Sequence, residues 1–157
     1  MKRNYRGEVI DGPRKLLRPE FGTGIYFENG EPEIEWKNLS EYADEDGFDT
    51  RNVEDNGYYK IFINLTAGTK IIRYGNETGT FTAPEGTPYE SLALPYIKES
   101  VEYNEYVVIA DNLTVECKVQ KGKVAPGFES KGGGIQYKHP VTIRESLKRR
   151  QLERIRL

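Results

Sequence analysis

Three glycines lead into a glutamine in "SKGGGIQYKHP", residues 130–140, and the same stretch carries His139, the one histidine of the chain. Gly132, Gly133 and Gly134 can adopt backbone angles closed to other residues and let a ligand approach the main chain. The run therefore fits a ligand cradle as well as a loose hairpin tip between Phe128 and Tyr137. His139 has the chemistry of a general base or a ribonuclease acid, although its place before Pro140, where the backbone is extended, better suits a satisfied loop histidine. Arg73 is the second candidate. It closes an apolar run beside Tyr74 and Gly75, where a guanidinium held at a sheet margin could fork onto a diphosphate while the aromatic stacks on a base or pyridine ring. The plainer alternative is a surface arginine paired with Glu77 or Glu85.

Other chemistries lack their residues. No GxxxxGK[ST] or helix-opening GxGxxG occurs, and one Cys with one His cannot supply a structural zinc site. Asp44, Glu45, Asp46 and Asp49 lack the spacing of a calcium loop, so no metal is expected. No pair stands out among the 25 acids as a glycosidase couple.

The elements that must position these residues are mostly strands. A chain of 157 residues holds one core, and 36% hydrophobic content with 16 Gly and 11 Tyr favours strands and turns. A formal charge of -2 gives no global drive toward nucleic acid or membrane, and no apolar run is long enough to span a bilayer. The single Cys117 excludes an internal disulfide, fits a reducing compartment and suits a core or strand position. Met1 is the only methionine, as in a fragment given a start codon or in a short natural gene.

Residues 1–50 read as an irregular arm, with a short strand around Ile34 to Trp36 and a solvated acidic loop anchored by Phe48; residues 51–157 hold the core. Within that core "YYKIFINL" and "TKIIRYG" predict a hairpin about Ala67-Gly68-Thr69, and "YNEYVVIA" and "LTVECKV" a second strand pair about Asp111-Asn112. The prolines of "APEGTPYESLALPY" argue for a long ordered loop. A capping box at "TIRE" starts a C-terminal helix at Thr142, with Ile143, Leu147, Leu152 and Ile155 toward the sheet. The basic tail "RESLKRRQLERIRL" then reads as a solvated helix face. The fold class is α+β, a mostly antiparallel twisted sheet with an irregular N-terminal arm and a short C-terminal helix.

Taken in order, "LTAGTKIIRYGNETGTFTAPEGTPYESLALPY", "YNEYVV" and "GKVAPGFESKGGGIQYKHPVTIRESLKRRQL" resemble the TNT domain, the NAD glycohydrolase toxin family named for tuberculosis necrotizing toxin. The likeness covers about residues 65–152 and rests on several blocks in order, and "EIEWKNLSEYADEDGFD" is similar to the segment that often precedes them. It implies hydrolysis of the nicotinamide–ribose bond of NAD(P)+ to nicotinamide and ADP-ribose, with the dinucleotide as substrate and no cofactor. It further implies delivery as the C-terminal part of a larger secreted toxin, action in the target-cell cytoplasm, and a cognate immunity protein, with neither nucleic acid nor membrane as partner. Carried over by position, it assigns catalysis to Gln136 and Arg73 and substrate binding to Tyr74, Phe81, Gly134, Tyr137 and Asn104. Gln136 would meet the ribose or the attacking water, Arg73 the diphosphate, and Phe81 or Tyr74 the nicotinamide. Three positions depart from the family pattern: Ile72 for Asp, Leu92 for Arg, and Asn104 for His. These departures imply a divergent member of reduced activity. A TNT-like module that binds nucleotide or protein without turnover, and a metal-independent ribonuclease using His139, are the alternatives.

Overall fold

The computed structural model describes residues 40–155 apart from positions 55, 95, 97 and 129. The expected arm over residues 1–30 and the short strand around Ile34 to Trp36 lie outside the described residues. The β-rich runs form β1 Lys60–Asn64, β2 Lys70–Tyr74, β3 Phe81–Pro84, β4 Tyr103–Val108, β5 Lys118–Lys123, β6 Ile135–Lys138 and β7 Leu152–Ile155. A short helix, α1 Ile143–Lys148, stands before β7, and 3-10 turns occupy Tyr89–Leu92 and Lys98–Ser100. The strands make one seven-stranded sheet in the order β1-β5-β6-β3-β2-β4-β7. Every pairing is antiparallel. β3 changes partner midway: Phe81 and Thr82 pair with Lys138 and Tyr137 of β6, while Ala83 and Pro84 face Ile72 and Ile71 of β2. One four-residue strand thus joins β1-β5-β6 to β2-β4-β7.

The α+β, mostly antiparallel architecture matches the expectation, but neither expected hairpin forms. β1 pairs with β5, and β2 with β3 and β4; β4 pairs with β2 and β7. Gly and Asp-Asn cues mark where the chain reverses, whereas the partner is chosen by which apolar faces bury together. After β1 the chain crosses between the halves, with the Leu65 N–H on Cys117 O and the Gly68 N–H on Val108 O. Ala83 and Pro84, the first two residues of the expected loop, are instead the last two of β3. At the C-terminus the capping hydroxyl is present, Glu145 N–H donating to Thr142 Oγ1 at 3.1 Å, while the Glu145 carboxylate accepts from Arg149 Nε and not from the cap. The helix then stops: Arg150 takes a left-handed φ of 60°, and Leu152 and Ile155 lie on β7, covering the outer edge of β4.

Alternation along the strands sends Ile71, Tyr106, Val108, Val119, Tyr137 and Leu152 to one side, where they bury with Leu65, Cys117 and Ile143 of α1. This core face draws on both halves of the sheet. Among the described residues, two segments cover the opposite face. The acidic loop lies over β5 and β6: fully buried Phe48 sits against Gly122, where an added Cβ would come within 2.6 Å of the ring. Phe48 anchors the loop as expected, but the loop is not simply solvated, because Asp44 and Asp46 are partly buried against Lys60 and Lys138. Opposite charges remove the penalty that would otherwise keep such carboxylates in water. The second segment brings Tyr89 edge-on to Tyr74 at 4.9 Å and Ser91 O to the Gly134 N–H at 3.1 Å.

Candidate functional site

Gln136 is the second residue of β6 and points away from the core face, since its neighbour Tyr137 belongs to the core. It is 8% exposed, and its Nε2 donates to Asp46 O at 3.1 Å. A carbonyl can only accept, so this contact turns the amide nitrogen toward the loop and leaves Oε1 as the amide's acceptor atom. Lys138, two residues on and therefore on the same side, donates to both oxygens of the Asp46 carboxylate at 3.1 and 3.0 Å. Phe81 is directly opposite Lys138 across the β3–β6 ladder and is half-buried. Burial works against the Asp44 carboxylate, yet Lys60 and the N–H groups of Phe48 and Asp46 together hold its pKa below the ordinary value. Beneath the loop, Asp44 and Asp46 are each matched by one lysine, Lys60 and Lys138.

Arg73 stands elsewhere. It shares the core-face parity of Ile71, is 6% exposed, and donates from Nε to Asn76 O at 2.6 Å and from Nη1 to Phe81 O at 3.0 Å. The surface pairing with Glu77 or Glu85 does not occur; Glu77 instead receives Tyr106 Oη and the Arg154 guanidinium. Arg73 closes the turn through residues 75–80, which is further held by N–H bonds from Ile143 to Gly79 O and from Arg144 to Glu77 O. Asn104 is its cross-strand partner on β4 and donates to the Glu102 carboxylate.

His139 lies in the loop that follows β6, as expected, and is fully buried there at 1% exposure. Its Nε2 lies 2.8 Å from Thr82 Oγ1, and Nδ1 has no partner among the described residues. Burial, aided by the positive charge of Arg73, lowers its pKa to about 4, so the ring is neutral at physiological pH and cannot supply the acid of a ribonuclease pair. Tyr137 is a core residue, and burial raises its phenol pKa.

The glycines divide by role. A Cβ on Gly132 would come within 2.6 Å of Val124 O and Ala125 O, and one on Gly134 within 2.4 Å of Ser91 Oγ. Their bareness is required by the protein's own packing. Gly133, at φ 86°, faces open space. Of the residues assigned from the sequence, Gln136 and Phe81 share one side of the sheet, with Tyr74 further along it; Arg73 and Tyr137 lie on the other. Tyr74 packs against Tyr89 and Tyr103, each at 4.9 Å. Ile72 is buried on the Tyr74 side, and Leu92 is half-buried in the first 3-10 turn.

The sequence model of the family described as tuberculosis necrotizing toxin matches residues 64–155. The chain belongs to the tuberculosis necrotizing toxin family. The family segment begins at the last residue of β1 and ends with β7, so it contains Arg73, Phe81 and Gln136 but not Asp44, Asp46, Phe48 or Lys60. A curated relative, the conidial surface nicotinamide adenine dinucleotide glycohydrolase nadA of Aspergillus fumigatus, is 38% identical over 78 residues, which are 46% of this chain and 32% of that protein. Among solved structures, tuberculosis necrotizing toxin complexed with its immunity factor aligns at a TM-score of 0.47 and 21% identity, over 93% of this chain and 88% of that one. Rhs1-CT in complex with its cognate immunity protein aligns at 0.44 and 22% identity, over 62% and 78%.

Sequence reasoning missed Asp46 and Lys138. Lys138 was within reach, because a strand through Gln136 places residue i+2 on the same side. Asp46 had no such signal, being 90 positions from the glutamine it contacts.

Proposed function

We propose that the chain is an NAD(P)+ glycohydrolase of the toxin type, splitting the nicotinamide–ribose bond with water to yield nicotinamide, ADP-ribose and a proton. The observation that carries this reading is Gln136 within the family-matched segment: a nearly buried amide whose nitrogen is held by Asp46 O, leaving its oxygen as the acceptor. Nicotinamide departs from a cationic pyridinium as a neutral molecule, so no general acid need protonate it. Catalysis then rests on placement and on stabilising an oxocarbenium-like ribosyl centre. In this reading Oε1 of Gln136 accepts from a ribose hydroxyl or from the attacking water, whose proton passes to solvent. Phe81 packs on the nicotinamide, and Tyr74 lies further along the same side. Arg73 enters the mechanism through the turn it closes by donating to the carbonyls of Asn76 and Phe81. The same family membership supports delivery as part of a larger toxin and a cognate immunity protein as partner.

Chromatographic measurement of nicotinamide released from NAD+ and from NADP+ tests the reading. Turnover is expected with at least one dinucleotide, and its absence over hours at micromolar protein overturns it. Binding of NAD+ or ADP-ribose by calorimetry without turnover would instead favour the nucleotide-binding module. The Ile72, Leu92 and Asn104 departures make that the second reading to measure.

A further inference from the structure

We propose that Lys138 and Asp46 act as a positioning pair for Gln136, fixing which end of its amide faces the substrate; this rests on the glycohydrolase reading above. Asp46 meets both residues of β6 on that side. Its main-chain oxygen accepts from Gln136 Nε2, and its carboxylate takes Lys138 Nζ on both oxygens. The peptide that presents this oxygen is held from behind by Asp44, whose Oδ1 accepts the N–H groups of Asp46 and Phe48, each at 2.9 Å, and whose Oδ2 takes Lys60 Nζ at 2.9 Å. Phe48 in turn rests on Gly122, the cross-strand partner of Gln136.

These anchors divide the work. Asp44, Lys60 and Phe48 keep the loop on the sheet whether or not Lys138 is present. The Lys138 ion pair fixes the Asp46 residue itself, and through it the register of the carbonyl against the glutamine. A primary amide has nearly the same shape with its two ends exchanged, so only hydrogen bonding decides its orientation. Once the carbonyl drifts, Nε2 and Oε1 can exchange places, and the acceptor presented to ribose or water becomes a donor. Asp46 lies N-terminal to the segment that the family model matches, in the acidic loop whose sequence is similar to the segment that often precedes it.

The test uses the whole chain with Lys138→Met, Lys138→Arg and Asp46→Asn, the last removing the ion pair while keeping the main-chain carbonyl. Nicotinamide release is measured as a function of NAD+ concentration, and the Gln136 side-chain amide is followed by 15N-resolved NMR without substrate. In the unmodified protein the two Nε2 protons should give one sharp, exchange-protected pair of signals. Lys138→Met and Asp46→Asn should lose that protection and lower kcat by about ten-fold, with KM within about two-fold, as misplacement of a catalytic group predicts. Lys138→Arg should restore most of both. A rise in KM with kcat unchanged would mean that Lys138 touches the substrate itself and would overturn the positioning role, as would an unaltered amide signal in Lys138→Met. The NMR readout needs no turnover, so an inactive unmodified protein sinks the glycohydrolase reading while the amide signal still decides the positioning claim.

Discussion

Arg73 and Gln136 lie on opposite faces of the same sheet and are held in opposite ways. Arg73 donates to carbonyls in its own neighbourhood, three and eight residues further along the chain. Gln136 is fixed by Asp46, 90 residues earlier. The first arrangement is a local clamp that shapes a turn; the second orients a side-chain amide with a separate segment of chain. Two residues that a family pattern groups as catalytic therefore differ in what their removal should do, one chiefly to stability and the other chiefly to turnover.

Gln136→Ala should give the largest effect, a loss of nicotinamide release of about 100-fold or more, the scale seen when a single oriented dipole is removed from an active site. Its thermal midpoint should stay within a few degrees of the unmodified protein. A Gln136→Ala protein that is folded and fully active breaks the comparison at its catalytic end.

Arg73→Ala should instead unfold more easily. The loss of two charge-assisted hydrogen bonds to backbone carbonyls is worth about 3 kcal/mol in urea titration. Arg73→Lys should recover little, because a single ammonium lacks the planar fork that spans Asn76 O and Phe81 O. Full stability in Arg73→Ala would show that the turn does not depend on the guanidinium.

His139 sharpens the same side of the comparison. Its folded pKa of about 4 lies below the ordinary 6.5, so the unfolded chain takes up the proton first as pH falls. The stability associated with His139 is present above about pH 6.5 and is lost as pH falls toward about 4, at up to about 1.4 kcal/mol per pH unit. His139→Asn, which keeps a polar group toward Thr82, should remove that component of the slope in calorimetric scans across the window.

The smallest expected effect is at the cap. Thr142→Ala should cost about 1 kcal/mol, because the Glu145 N–H loses its acceptor, and should leave kcat unchanged. A change in kcat there would tie α1 to the Gln136 side of the sheet.

Legibility follows the same division. The strand-forming runs, the Thr142 cap, the Phe48 anchor and the buried Cys117 could all be read from residue type and local pattern. The strand partners could not, because a turn signal announces a reversal without naming the neighbour, and β1 finds β5 across the 53 positions between Asn64 and Lys118. The glycine run was legible as bare backbone but not as to what needs it bare. At Gly132 and Gly134 the need comes from Val124, Ala125 and Ser91. His139 was placed in a loop because Pro140 follows it, and it is buried because the β6 end carries it beneath the sheet beside Thr82.

By itself, the order of amino acids determined that the chain builds an antiparallel sheet with one short capped helix, and that Arg73, Phe81 and Gln136 are the residues to examine. Those properties depend on local propensity and on motifs whose spacing is written along the chain. Tertiary structure alone decided which of those residues share a face, because strand alternation acts only once register is chosen. It also decided that Asp46 meets both Gln136 and Lys138, since a contact across 90 residues arises only when burial of Phe48 brings the acidic loop onto β5 and β6.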